Sequence, residues 1–257
     1  MLEVMNDIVS HHMTVDESDM MNDRDELFQV SILQALSLGD YHGFVSVEEF
    51  KTRGDIGLGT FNRLNGEMIM IDGIVYRADG EGNVIEVEND SIPFGNAAFI
   101  EGSEEATVSA DSINTLRSML NDCILRKGIN HMYVIRIDGL YDSITIRSIR
   151  AQEEPYQPLA RVITEQQRIW MHESVKGTIV GFHLPSYLDK VNTDDWHLHF
   201  ISEDRKIGGH VLDATLGAGS AKIKRLNGLH IRLPDDGTFE ALDLDVDQKE
   251  DIKRIEG

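Results

Sequence analysis

The sequence predicts a mixed α/β protein of the α+β type, built as two β-rich, mixed-sheet halves with a few helices. Three observations lead there. Short apolar runs recur between turn pairs such as Asp72-Gly73, Asp79-Gly80 and Gly82-Asn83, the punctuation of antiparallel strands. Only a few segments carry the apolar spacing of a helix. Late in the chain, Trp196-His197-Leu198-His199-Phe200 alternates with the period of two that a strand requires. With 257 residues, 41% of them hydrophobic and 27% charged, the chain has the composition of an ordinary globular protein able to bury a large core.

Residues 1–24 are polar, acidic and methionine-rich without a clear period, so a flexible N-terminal arm is expected there, carrying His11 and His12. An N-terminal α/β half is expected over 25–155 and a C-terminal β-rich half over 156–257. The first half opens with an apolar run, Leu27 to Leu38, that ends at Gly39. Ser46, with Glu49 three residues later, forms a capping box for a short helix before Gly54. From Gly57 to Phe99 the signals are β, with Met68 to Tyr76 folding as a tight hairpin about Asp72-Gly73. Ile113, Leu116, Leu120, Cys123 and Ile124, followed by Gly128, predict a helix between Ser109 and Lys127 and make Cys123 a core residue.

Strands are expected from His131 to Asp138 and from Ser143 to Ile149. The stretch Pro155 to Pro158 reads as a linker between halves, leading to a helix through about Met171. Val175 to Leu184 reads as a strand, followed by the histidine-rich hairpin. β character then continues to about Val246, before a polar tail containing Glu250 and Glu256. Arg63-Leu64-Asn65-Gly66 recurs as Arg225-Leu226-Asn227-Gly228, each ahead of an apolar strand, as a duplicated β unit would have it.

Charge and cysteine content narrow the function. A net charge of −21 argues against a nucleic-acid surface, which needs clustered Lys and Arg. In so acidic a chain, a small anionic substrate requires a specific local cation, which gives any inward-facing Arg significance. The single cysteine, Cys123, excludes an intrachain disulfide and Cys-x-x-Cys metal sites. The N-terminus lacks the basic and apolar regions of a signal peptide, and no apolar run approaches the ~20 residues of a membrane span, so a cytoplasmic protein with no membrane partner is expected.

His197 and His199 project from the same face of their strand, and the charged residues and glycines before His210 suit a hairpin loop. The return strand brings His210 beside the pair. Three imidazoles converging from two strands, with a position left open, are what a catalytic zinc needs; copper, iron or nickel would accept the same ligands. Glu203 sits in the turn beside Asp204 and Arg205 and reads as a solvated charge, whereas His42, His131, His172, His183 and His230 have no partner spacing. Two other readings remain open. His197, His199 and Glu203 partly fit the first motif of a cupin-like metalloenzyme, although the third histidine comes early for one. A non-enzymatic metal-binding module is the other, if Glu203 closes the fourth position.

The run His197-Leu198-His199-Phe200-Ile201-Ser202-Glu203-Asp204-Arg205-Lys206, closing as Gly208-Gly209-His210-Val211-Leu212-Asp213, resembles the signature of α-acetolactate decarboxylases. So does Gly54-Asp55-Ile56-Gly57-Leu58-Gly59-Thr60-Phe61-Asn62 with Leu64-Asn65-Gly66-Glu67. Met132-Tyr133 with Asp138-Gly139, Arg147-Ser148, Gln152 to Pro158 and Lys176 to Phe182 extend the resemblance from about Leu27 to the C-terminus. It implies a zinc-dependent, homodimeric enzyme converting (S)-2-acetolactate to (R)-acetoin and carbon dioxide, in acetoin and butanediol formation from pyruvate.

Matching motif positions imply zinc ligands at His197, His199 and His210, and further active-site residues at Glu67, Thr60, Arg147 and, in the tail, Glu256. Zinc would act as the electron sink of the decarboxylation, with no organic cofactor. Arg147 would hold the substrate carboxylate and Glu67 would donate or shuttle a proton. Thr60 would orient the substrate, and Glu256 would close the pocket or assist the proton transfer. By residue type alone, Arg147 could equally form a surface ion pair, and Glu67 is one of 45 acidic residues. The chain departs from the family pattern between Leu184 and Asp195 and at Ile149-Arg150-Ala151, which bears on loop shape and so on substrate tolerance.

Overall fold

A computed structural model describes residues 23–193 and 195–247. The expected arm lies outside them, apart from Asp23 and Arg24 in a short 3-10 turn. In chain order the strands and helices are β1 (Glu26–Val30), α1 (Leu33–Ser37), β2 (Val45–Ser46), α2 (Val47–Lys51), β3 (Ile56–Thr60), β4 (Glu67–Ile71), β5 (Ile74–Ala78), β6 (Val84–Glu86), β7 (Ser91–Ile92) and β8 (Phe94–Ala98). There follow β9 (Glu104–Ala110), α3 (Ile113–Lys127), β10 (Met132–Ser148), α4 (Leu159–Gln166), β11 (Arg168–His183), β12 (Trp196–Ser202), β13 (Gly208–Leu226), β14 (Gly228–Arg232) and α5 (Gly237–Glu240). The fold is thus mixed sheet with few helices, as the patterning predicts. None of the described helices is long and apolar enough to cross a membrane.

Two sheets form the body. One is seven-stranded, in the order β14-β1-β8-β3-β4-β5-β6, antiparallel except where β14 lies parallel to β1. The other runs β10-β11-β12-β13-β9, and β10 also pairs with β13, so four of its strands close into a ring. Sheet membership changes between Ala98 and Glu104, and β14 returns late chain to the early sheet.

Alternation along the strands decides what each face buries. In β12, Trp196, Leu198 and Phe200 enter a core with α3, whose Leu116, Leu120 and Ile124 cover that side of the ring. Met132, Val134, Val180, Phe182 and Ile201 instead pack across to Ile56, Leu58, Ile69 and Ile71 of the seven-stranded sheet. The two sheets therefore stack face to face, and residues at the end of that shared layer face each other.

Several local signals hold. The Ser46 side chain accepts the Glu49 amide at 3.1 Å and starts α2. Asp72 and Gly73, at φ 53° and 76°, make the two-residue turn joining β4 to β5. Cys123 packs, partly buried, against the α3 core.

Others are corrected. The two strands expected between His131 and Ile149 are one strand, β10, with register shifts around Leu140 to Ser143. The helix over Ser109–Lys127 begins only at Ile113, because Ser109 and Ala110 belong to β9 and Ser112 caps the helix through the Thr115 amide. The helix after Pro158 ends at Gln166 and not near Met171: Ile169, Trp170 and Met171 are drawn into a ladder opposite Arg147, Ile146 and Thr145. β structure stops at Arg232, before Pro234, and Asp236 caps α5 through the Thr238 and Phe239 amides. The repeated Arg-Leu-Asn-Gly is not a duplicated unit. Arg63 and Leu64 form a left-handed turn, whereas Arg225 and Leu226 end a strand.

Candidate active site

Register assembles the site. Arg147 of β10 lies opposite His210 of β13, and His210 lies opposite His199 of β12, so the three stand in one row across adjacent strands. His197 shares the face of His199, two residues away. The facing sheet contributes Thr60 and Glu67, which are themselves partners across β3 and β4.

The three histidines are buried, and one ring nitrogen from each lies within 4.8 Å of the others. His197 Nε2 and His199 Nε2 are 3.1 Å apart. His199 Nδ1 lies 2.8 Å from the Met68 carbonyl oxygen. A carbonyl can only accept, so Nδ1 carries the proton and Nε2 keeps a lone pair for the centre of the cluster. His210 Nε2 is buried without a hydrogen-bond partner, a position that a metal ion would satisfy. Among the described residues this is the only group of three or more His, Cys, Asp or Glu arranged to hold an ion.

Electrostatics favours the neutral ligand form. Burial, followed by the nearby Arg147 and Arg117, pushes His197 down to about 3. Burial likewise holds His199 and His210 far below the ordinary histidine range, helped by neighbouring imidazoles and by Arg147. Neutral imidazoles ligate metals; imidazolium does not. The set fits a divalent cation.

A cleft opens onto this cluster, with Thr60, Glu67, Arg147, His197 and His210 in its lining. Glu67 Oε2 lies 3.5 Å from His199 Nε2. Arg147 is buried at 3% exposure, so it is a cation inside the cleft and not a surface ion pair. The Thr60 hydroxyl donates to the Gly66 carbonyl at 2.8 Å, which leaves its lone pairs as acceptors. Much of the remaining lining is apolar: Leu33 and Leu36 from α1, Leu159 and Ile163 from α4, with Phe94 of β8 packed in the same cluster. Sequence reasoning missed this apolar side. Its signals were visible as the Leu27 to Leu38 run and the segment after Pro158, but nothing in their spacing tied them to the histidines.

Glu203 stays in the hairpin turn and pairs with Lys176 at 2.7 Å, both side chains exposed. It completes neither a His-His-Glu cupin set nor a fourth protein ligand. Glu256 lies outside the described residues.

The family profile described as Alpha-acetolactate decarboxylase matches residues 27–246. The alpha-acetolactate decarboxylase of Methanosarcina mazei is 35% identical over 237 residues, covering 91% of this chain and 81% of that protein. That of Bacillus subtilis is 36% identical over 239 residues, covering 90% and 91% respectively. The crystal structure of alpha-acetolactate decarboxylase from Bacillus subtilis strain 168 superposes with a TM-score of 0.86 at 34% identity, over 90% of this chain and 99% of that one. A Staphylococcus aureus protein, described as of unknown function and similar to alpha-acetolactate decarboxylase, superposes at 0.85 with 25% identity, over 90% of this chain and 100% of that one. With profile, sequence and fold agreeing over nearly its whole length, the chain belongs to the alpha-acetolactate decarboxylase family.

Proposed function

We propose that this enzyme converts (S)-2-acetolactate to (R)-acetoin and carbon dioxide with zinc held by His197, His199 and His210. One observation carries the reading: three buried, neutral imidazoles converge where a cleft also presents Arg147 and Glu67. Three histidine ligands with an open position favour zinc among the candidate metals. Held by these three histidines, zinc would supply Lewis acidity at the substrate's ketone, where negative charge develops on decarboxylation.

The protein's own groups do the rest. The Arg147 guanidinium offers paired donors to the substrate carboxylate, and its charge supplies the local cation that a chain of net charge −21 needs to attract a small anion. The bond between the carboxylate carbon and C2 breaks, carbon dioxide leaves, and its bonding pair remains on the C2–ketone unit. Glu67 then gives a proton to C2, so one anion and one proton become neutral acetoin and carbon dioxide. Delivery from one side sets the product's handedness. Thr60, its hydrogen committed to Gly66, accepts the hydrogen of the substrate hydroxyl. The apolar wall of α1 and α4 receives the two methyl groups and keeps water from the reacting carbon. Glu256 is assigned closure of the pocket or help with the proton. Family resemblance supports two further parts of the proposal, a homodimer and service in acetoin and butanediol formation from pyruvate; a cytoplasmic setting is proposed from the sequence reading alone.

The test is acetoin formation from racemic acetolactate by purified protein, before chelation, after it, and with zinc restored. Chelator-sensitive (R)-acetoin recovered by zinc is the expected result. No acetoin above spontaneous background from metal-loaded protein would overturn the reading.

A further inference from the structure

Thr60 and Glu67 are joined by the tight loop 61–66. Two adjacent residues of that loop, Arg63 and Leu64, hold φ of 65° and 56°. Side-chain-bearing residues enter this left-handed region only where their surroundings keep them there. What keeps them is a reciprocal pair of bonds to a distant segment. The Gln152 amide donates to the Arg63 carbonyl at 2.7 Å, and Arg63 Nε donates back to the Gln152 carbonyl at 2.9 Å. The Arg63 amide adds a third bond, to the Tyr41 carbonyl at 2.8 Å.

Gln152 is itself fixed. It is buried, and its side-chain amide donates to the Arg150 carbonyl at 2.8 Å and to Gln166 Oε1 at 3.1 Å. Its segment follows the end of β10, where Arg147 sits. The clamp therefore ties the loop leading into Glu67 to the chain leaving Arg147, across two different sheets. Leu64 and Ile149, one beside each half of the clamp, both line the cleft, whereas Arg63 is exposed and stands outside that lining.

We infer that Arg63 is a positioning residue, whose clamp on Gln152 sets the placement of Glu67 relative to Arg147. This rests on the roles proposed for those two residues. A merely structural anchor would show itself in stability alone; a positioning residue alters the reaction in protein that remains folded and metal-loaded.

Arg63→Gly separates the two, because glycine adopts the left-handed backbone freely and keeps the backbone bonds to Gln152 and Tyr41, losing only what the guanidinium makes, its bonds to the Gln152 carbonyl and to Tyr156. The expected variant melts no lower than the parent and binds the same metal content through its untouched histidines. Its kcat/KM for acetolactate falls roughly tenfold, and the optical purity of its acetoin drops. Arg63→Lys, which keeps one donor for the Gln152 carbonyl, recovers part of both. Amide hydrogen exchange should quicken in residues 61–67 and in 149–153 of Arg63→Gly. Unchanged kcat, KM and optical purity would overturn the inference. So would a lowered melting temperature with unaltered optical purity. Exchange that stays slow in 149–153 would overturn the clamp even if the parent made no acetoin, which separates this failure from failure of the assigned reaction. Should Arg63→Gly not fold, Arg63→Asn, also tolerant of this backbone region, undergoes the same measurements.

Discussion

Where the strand side of the cleft lines up Arg147, His210 and His199 as cross-strand neighbours, the helical side sets Leu33, Leu36, Leu159 and Ile163 on two short helices. The strand residues are held along both edges of their ladders and by bonds such as that of His199 to the Met68 carbonyl. Helices α1 and α4, of five and eight residues, have Ile32 and Pro158 at their N-caps and no side-chain capping bond. The first amides of α1, those of Leu33 and Gln34, donate to the Val191 and Lys190 carbonyls at 2.9 and 3.1 Å, and otherwise both helices keep their shape by packing, through a cluster that includes Tyr41, Phe94 and Ile149. The side proposed to place charges is thus the more tightly hydrogen-bonded, stiff one, and the side proposed to fit methyl groups is the more loosely held, adaptable one.

The sharpest way to break that contrast is on the stiff side. His199→Ala removes one of three metal-facing nitrogens and leaves the Met68 carbonyl without its donor. A Lewis-acid contribution of several kcal/mol implies roughly a thousandfold loss of kcat/KM together with loss of bound metal. Metal analysis and acetoin assay check it, and an active, metal-replete His199→Ala would end the argument from ligand geometry. Glu67→Gln retains metal but should lower kcat by about a hundredfold or more, the usual scale of a general acid. Arg147→Lys, which loses the planar fork, should act mainly on KM, by roughly ten- to a hundredfold.

Acid offers a probe of the same wall in metal-free protein. An unfolded histidine takes up a proton near 6.5, whereas folded His197 resists until about 3 because it is buried beside Arg147. Between those values the unfolded state binds more protons, so stability falls as pH drops through that window and is unaffected above it. His199 and His210 are shifted in the same direction and add to the slope. Denaturant midpoints from pH 7 to pH 4.5 measure it, and His197→Gln should flatten the dependence.

The contrast also explains what could be read from the chain. The histidine side was legible because its three imidazoles fall within one hairpin, where a period of two and a turn suffice to bring His197, His199 and His210 together. Glu67, Thr60 and Arg147 were legible only through family motifs. Their meeting depends on how two sheets stack, and no local period encodes that. The helical side was least legible. The end of α4 at Gln166 was overrun because Ile169 to Met171 join a ladder with β10, a contact made across sequence, and the pocket role of Leu36 or Ile163 has no signature beyond being apolar.

A small change on the adaptable side gives the smallest effect and the closest comparison. Ile163→Val removes one methylene group from the wall of α4, which lines the cleft and packs into the cluster with Leu159 and Val162. The lost burial should cost about 1 kcal/mol of stability, read from the denaturant midpoint. Turnover of acetolactate should change by no more than about twofold, since no charge or ligand moves. The freed space should favour a substrate with ethyl in place of one methyl group by roughly fivefold, within the usual worth of a methylene in an apolar pocket. If both substrates instead lost activity equally, α4 would be positioning the reaction as tightly as the strands do. The division between a stiff chemical side and an adaptable shaping side would then have to be given up.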